Sequence, residues 1–181
     1  MRRMAAVLLL PALMILAGCG DDEPPTTPSN TSPITFTAQL SAANEVPPVT
    51  NVDANARGVA TITLTVARNT AGTVTGGGMA AFSIQVTGFP PGTVVRGAHS
   101  HNAPAGQNPP PAQGGTVFLD TGLTATTAIT LADGTGTLTF LNGNVTLDQA
   151  TRIVATPTTF FFDMHTAANP EGAVRGQLAR Q

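Results

Sequence analysis

Residues 159–178 read TFFFDMHTAANPEGAVRGQL, and the alternation in this stretch decides the class of fold. Two strand-like runs, 160–166 and 173–178, flank Asn169-Pro170-Glu171-Gly172. Proline presets φ at the second position of a turn, and glycine accepts the positive φ that a reversal needs. The stretch is therefore expected to be a β-hairpin. In its first strand Phe160, Phe162 and Met164 share one face, while Phe161, Asp163 and His165 share the other. One face is apolar throughout; the other carries an acid and a histidine. The apolar run 160–162 places the hairpin inside a sheet and not at its edge.

Upstream, the same period recurs. Ile34, Phe36, Ala38 and Leu40 alternate with Thr35, Thr37, Gln39 and Ser41, and Ala60, Ile62, Leu64 and Val66 alternate with threonines. β-Branched threonine suits a solvated sheet face. Further strands are expected over 79–87, 94–101, 116–119 and 135–141, with a flexible connection at 69–78. Asn44-Glu45-Val46-Pro47-Pro48-Val49 reads as a loop or edge, because paired prolines cannot bond in a ladder. Residues 102–114, NAPAGQNPPPAQG, form a long Pro/Gly loop. Thr146-Leu147-Asp148-Gln149 fits a helix capping box, and Pro157 ends the short helix near Thr156. About eight short strands and one short helix predict an all-β, antiparallel sandwich or barrel over residues 34–181.

The N-terminal part reads differently. Arg2 and Arg3 precede an apolar run over 4–17 that ends Leu16-Ala17-Gly18-Cys19. A positive start, a short apolar run and small residues describe a secretory leader; a membrane span needs about 20 apolar residues. Leu-Ala-Gly-Cys resembles the bacterial lipobox, which implies cleavage after residue 18 and lipid on Cys19, the one cysteine of the chain. Residues 19–33, rich in Pro, Thr and Ser, read as a disordered tether. The expected location is the bacterial cell envelope, extracytoplasmic and membrane-held through that lipid, with the outer membrane favoured because Gly20 and not Asp follows the cysteine.

Net charge is −2 with no lysine, tryptophan or tyrosine. That composition argues against nucleic acid as a partner and removes the usual stacking platforms for sugars. A hydrolase needs an activated nucleophile. Ser100 lies between His99 and His101, yet neighbours on a strand face opposite ways. His99 and His101 themselves lie two apart and share a face. With His165 they make up all three histidines, and imidazole suits copper or zinc. Asp163 is placed to act as a fourth ligand or as an orienting acceptor. The competing reading has the histidines hold the Pro-rich loop through backbone carbonyls. Geometry separates the two: ring nitrogens converging within about 4 Å favour metal. Arg175 is expected to engage Glu45 or Glu171, or a backbone carbonyl.

Asn44-Glu45-Val46-Pro47-Pro48, Ala98-His99-Ser100-His101, His165-Thr166 with Asn169-Pro170-Glu171-Gly172, and Arg175-Gly176-Gln177-Leu178 together resemble a chordin-type (CHRD) domain. The resemblance covers roughly residues 34–180. It implies an immunoglobulin-like β-sandwich distantly similar to copper/zinc superoxide dismutases, and it implies no general activity. The expected function is a non-enzymatic binding or structural module of the envelope with an unknown protein or envelope ligand. The alternative is a copper- or zinc-binding, superoxide-dismutase-like protein built on His99, His101 and His165.

Overall fold

The computed structural model describes residues 30–109 and 116–181. The leader, Cys19, most of the tether and residues 110–115 of the Pro-rich loop lie outside the described residues. Asn30 pairs with Arg68 in an antiparallel bridge, and the Arg68 guanidinium donates to the Ser32 carbonyl at 2.6 Å. The end of the expected tether is thus pinned to the domain.

The strands are β1 (Ile34–Ser41), β2 (Arg57–Arg68), β3 (Val74–Thr87), β4 (Thr93–Asn102), β5 (Val117–Asp120), β6 (Ile129–Leu131), β7 (Gly136–Val145), β8 (Phe160–Thr166) and β9 (Val174–Arg180). One helix, α1 (Leu147–Ala155), lies between β7 and β8. All named pairings are antiparallel, and they run in the order β5-β4-β8-β9-β1-β2-β3-β7, with β6 added to β4. The all-β antiparallel fold is as the alternation predicts. Its layers, however, are the two halves of one curled sheet. Phe82 of β3 faces Phe162 of β8 across the interior at 6.1 Å between ring centroids. The terminal strands of the path approach one another, with Asn142 Nδ2 of β7 donating to the Asp120 carbonyl of β5 at 2.9 Å. Curling hides both apolar faces in a single core and leaves little open edge.

The core takes the residues that the period selects: Phe36, Ala38 and Leu40 of β1, Ile62 and Leu64 of β2, Phe82 and Ile84 of β3, and Phe160, Phe162 and Met164 of β8. The helix forms where the capping box stands. Thr146 Oγ1 accepts from Gln149 N at 3.2 Å, and Gln149 Oε1 accepts from Thr146 N at 2.9 Å. Its Ala150 and Ile153 are buried against the core.

Two departures have local causes. Gly76, Gly77 and Gly78, expected in a flexible connection, lie within β3, which begins at Val74. A Cβ on Gly77 would fall 2.2 Å from the Val145 carbonyl oxygen, and one on Gly78 2.0 Å from that of Thr65. The neighbouring strands close in where the ladder shifts register on both sides, between Val66 and Arg68 and between Gly78 and Ala80, and only glycine fits there. Strand β6 escapes the sequence reading because three residues are too few for a period to show.

Candidate metal centre

The face of the sheet opposite the core carries a second, polar layer over β4, β8 and β9. Register stacks its residues in rows: His101 opposite Phe161 and then Gln177, His99 opposite Asp163 and then Arg175, and Gly97 opposite His165. A β-bulge puts the histidines there. Val95 points into the core, so strict alternation would send His99 and His101 inward as well. The register shift between Val95 and Gly97 inserts Arg96 and reverses the phase. Ala98 and Ser100 then turn inward, fully buried, and both histidines turn outward. Ser100 accepts a hydrogen bond from Leu119 N at 3.0 Å, away from the imidazoles. Gly97 lies under the neighbouring ring, and a Cβ there would meet His165 Cδ2 at 3.4 Å, an ordinary van der Waals contact.

Four atoms converge. His165 Nε2 lies 2.9 Å from His99 Nε2. Asp163 Oδ1 lies 3.5 Å from His165 Nε2, 3.7 Å from His101 Nε2 and 3.8 Å from His99 Nε2. All four ligand atoms are within 4.8 Å of one another. Donors bonded to one ion at about 2.0–2.1 Å in a tetrahedron are separated by about 3.4 Å. The carboxylate–imidazole edges lie within a few tenths of that value. Asp163 is 3% exposed, and its Oδ1 has no hydrogen-bond partner among the described residues. A buried, unbonded carboxylate oxygen facing three ring nitrogens is an unfavourable arrangement that a shared cation relieves.

The far sides of two rings are tied down. His101 Nδ1 lies 3.2 Å from the Thr116 carbonyl and His165 Nδ1 lies 3.0 Å from the Pro170 carbonyl. A carbonyl only accepts, so each Nδ1 carries the proton and, in the neutral ring, each Nε2 carries the lone pair. Two of the rings thus bond backbone carbonyls through Nδ1, while the Nε2 atoms of all three lie within 4 Å of Asp163 Oδ1. Burial pushes the His99 pKa down to about 4, against the opposing pull of Asp163. Burial also works against charge on His165, but its contacts with Asp163, the Pro170 carbonyl and Glu45 outweigh it, and its pKa is raised above the ordinary 6.5. The 2.9 Å contact needs a proton on one of the two Nε2 atoms, and the opposite directions of the two shifts place it on His165.

Arg175 reaches no carboxylate within ion-pair distance among the described residues. Of the expected partners the backbone carbonyl is met and the acids are not: Nη2 donates to the Gln107 carbonyl and Nη1 to Asn108 Oδ1 at 3.0 Å, a clamp on the Pro-rich loop. The guanidinium also stacks on Phe161, 3.4 Å from the ring centroid. This explains how a cation is held at 2% exposure. Glu45 is 8% exposed, and burial followed by the charge of Asp163 pushes its pKa up to about 7. Glu171 is exposed at the mouth. The histidines, Asp163, Glu45, Glu171 and Arg175 line one cavity of about 480 Å³.

Gln107 and Asn108 were not legible as site residues, since each acts only through a partner far away in the chain. The same holds for fully buried Asp53, whose Oδ2 accepts from Thr166 Oγ1 at 2.7 Å and Asn169 Nδ2 at 2.6 Å. It fixes the turn whose Pro170 carbonyl orients His165.

An antiparallel β module with three histidines and an aspartate on its outer face is the class that these observations define. The CHRD domain family model matches residues 36–178, and the chain belongs to the CHRD domain family. A comparison with curated proteins finds no match.

Proposed function

We propose that this CHRD domain is a lipid-anchored, non-enzymatic binding module of the bacterial envelope, and that what it binds is a transition-metal ion. Zn(II) is the ion that the donor set fits best: three imidazole nitrogens and one carboxylate oxygen are the number and kind of donors that zinc takes. Cu(II) is the competitor. The observation that carries the reading is the unbonded Asp163 Oδ1 facing the Nε2 atoms of His99, His101 and His165 at 3.5–3.8 Å. Hydrogen bonding at Nδ1 is the outer support that metal-bound histidines need.

The test is equilibrium dialysis of untagged protein against Zn(II) and Cu(II). One ion per chain is expected, with zinc or copper retained through gel filtration. Sub-stoichiometric uptake of both metals removes the reading.

The support for the anchor is the Leu16-Ala17-Gly18-Cys19 pattern. Two or more acyl chains give stable membrane attachment at about 0.8 kcal/mol per buried CH₂. Wild-type protein expressed in a bacterial host is expected in the membrane fraction, labelled by palmitate. Cys19→Ser is expected to lose the label and leave that fraction. A wild type without label contradicts the anchor.

A further inference from the structure

One of the three imidazoles lacks the outer support that the other two have. His101 and His165 give their Nδ1–H to the Thr116 and Pro170 carbonyls. His99 accepts at Nε2 from His165, so in the neutral ring its Nδ1 carries the proton. That Nδ1 has no hydrogen-bond partner among the described residues. Binding an ion through Nε2 leaves the proton on Nδ1, and a ligating ring is held in place when that proton goes to an acceptor.

Register supplies the acceptor. Asp120 of β5 stands directly opposite His99 of β4. Opposed residues of an antiparallel pair share a face, with Cβ atoms about 4.5–5.5 Å apart. The adjacent pair sets the phase: Ser100 and Leu119 are both fully buried, so His99 and Asp120 both point outward. The backbone around Asp120 is fixed. Leu119 N donates to Ser100 Oγ at 3.0 Å, Thr121 Oγ1 donates to the Ala98 carbonyl at 2.6 Å, and the Asp120 carbonyl accepts from Asn142 Nδ2 at 2.9 Å. Asp120 Oδ1 accepts from Gly122 N at 2.9 Å, which leaves Oδ2 for a second donor. Burial dominates the lowered pKa of His99, yet the charge of Asp120 is among those that oppose it, so the ring already feels this carboxylate.

We propose that Asp120 is a positioning residue of the metal centre, whose carboxylate takes the His99 Nδ1–H when Nε2 holds an ion. The pair forms no ion pair as it stands; coordination at Nε2 makes Nδ1–H a stronger donor and draws the carboxylate onto it. Each ligating ring then has its own acceptor, two carbonyls and one carboxylate, and Asp120 with Asp163 matches the double charge of a divalent ion. The inference rests on the metal reading and adds to it a residue that lines no part of the cavity.

Zn(II) affinity, read by competition with a chromophoric chelator, tests it. Asp120→Ala is expected to weaken binding by about 10–100-fold, the cost of losing an outer-sphere partner. Asp120→Asn keeps an oxygen for Gly122 N and replaces the other with a donor, so it is expected to weaken binding as well. A loss of general negative charge would also weaken binding, and a double-mutant cycle separates the two. On a His99→Ala background Asp120→Ala is expected to change affinity by less than about twofold. A second readout is the ring proton itself. In the zinc-loaded wild type the His99 Nδ1 proton is expected as a slowly exchanging NMR signal that Asp120→Asn abolishes, while those of His101 and His165 stay.

Unchanged affinity in both Asp120 variants, the same loss with and without His99, or a His99 Nδ1 signal indifferent to Asp120→Asn overturns the inference and leaves the metal centre standing. Failure of the wild type to take up zinc or copper removes both.

Discussion

Replacing His101 by alanine is expected to weaken Zn(II) binding by at least about a hundredfold, because loss of an outer-sphere partner alone costs roughly 10–100-fold and a direct donor counts for more. His101 is the informative choice. It lies opposite Phe161 and on the same strand as His99, and its Nδ1 bonds the Thr116 carbonyl. Its removal therefore takes away one Nε2 while the 2.9 Å contact between His99 and His165 stays. The pH dependence comes from the same atoms. A metal needs the lone pair of every Nε2. The raised pKa of His165 means that protons compete with the ion from above the ordinary 6.5 downward. Affinity is expected to be flat well above that range and to fall as pH drops through it, with proton release on binding at neutral pH. Calorimetry in buffers of different ionisation enthalpy measures both. Unchanged zinc affinity in His101→Ala, or uptake indifferent to pH down to the range of His99 near 4, contradicts a histidine-held ion.

The second large effect concerns stability. Phe162→Ala is expected to destabilise the fold by about 3–5 kcal/mol, which lowers the melting temperature by roughly 6–20 °C in a domain of this size. Phe162 is fully buried in β8 and faces Phe82 of β3 across the interior. It thus joins the two halves of the curled sheet at a point where no backbone hydrogen bond crosses. Its neighbour Phe161 is as inaccessible but serves the other layer, packed between the His101 ring at 5.2 Å and the Arg175 guanidinium. A thermal shift below about 3 °C for Phe162→Ala would mean that the halves are held together by something other than this contact.

Family membership and cavity geometry bear on different parts of the protein. The CHRD match spans β1 to β9 and concerns the whole domain. The metal reading depends on a patch three strands wide. Arg175 links the two, since it comes just after the Asn169–Gly172 turn and holds the loop at Gln107 and Asn108 over the patch. The polar layer is held by clamps of this kind together with the buried ring of Phe161.

By itself the sequence determined whatever depends on a few neighbouring residues. The faces of β8 come from period-2 alternation, the helix start from Thr146 and Gln149, and the grouping of His99 with His101 from their spacing. Each is set by backbone geometry within one element, so no distant partner is needed to read it. Tertiary structure decided the remainder. His99 and His165 are 66 positions apart, and only the pairing of β4 with β8 sets one against the other. The bulge at Arg96 turned both histidines of β4 away from Val95's face, which strict alternation would have reversed. Arg175 took its partners from a loop 67 positions away, not from the acids near it in sequence. Curling one sheet until β5 approaches β7 created the single core. These outcomes depend on register, and register is settled by the summed pairing of many strands, a quantity no short stretch of chain contains.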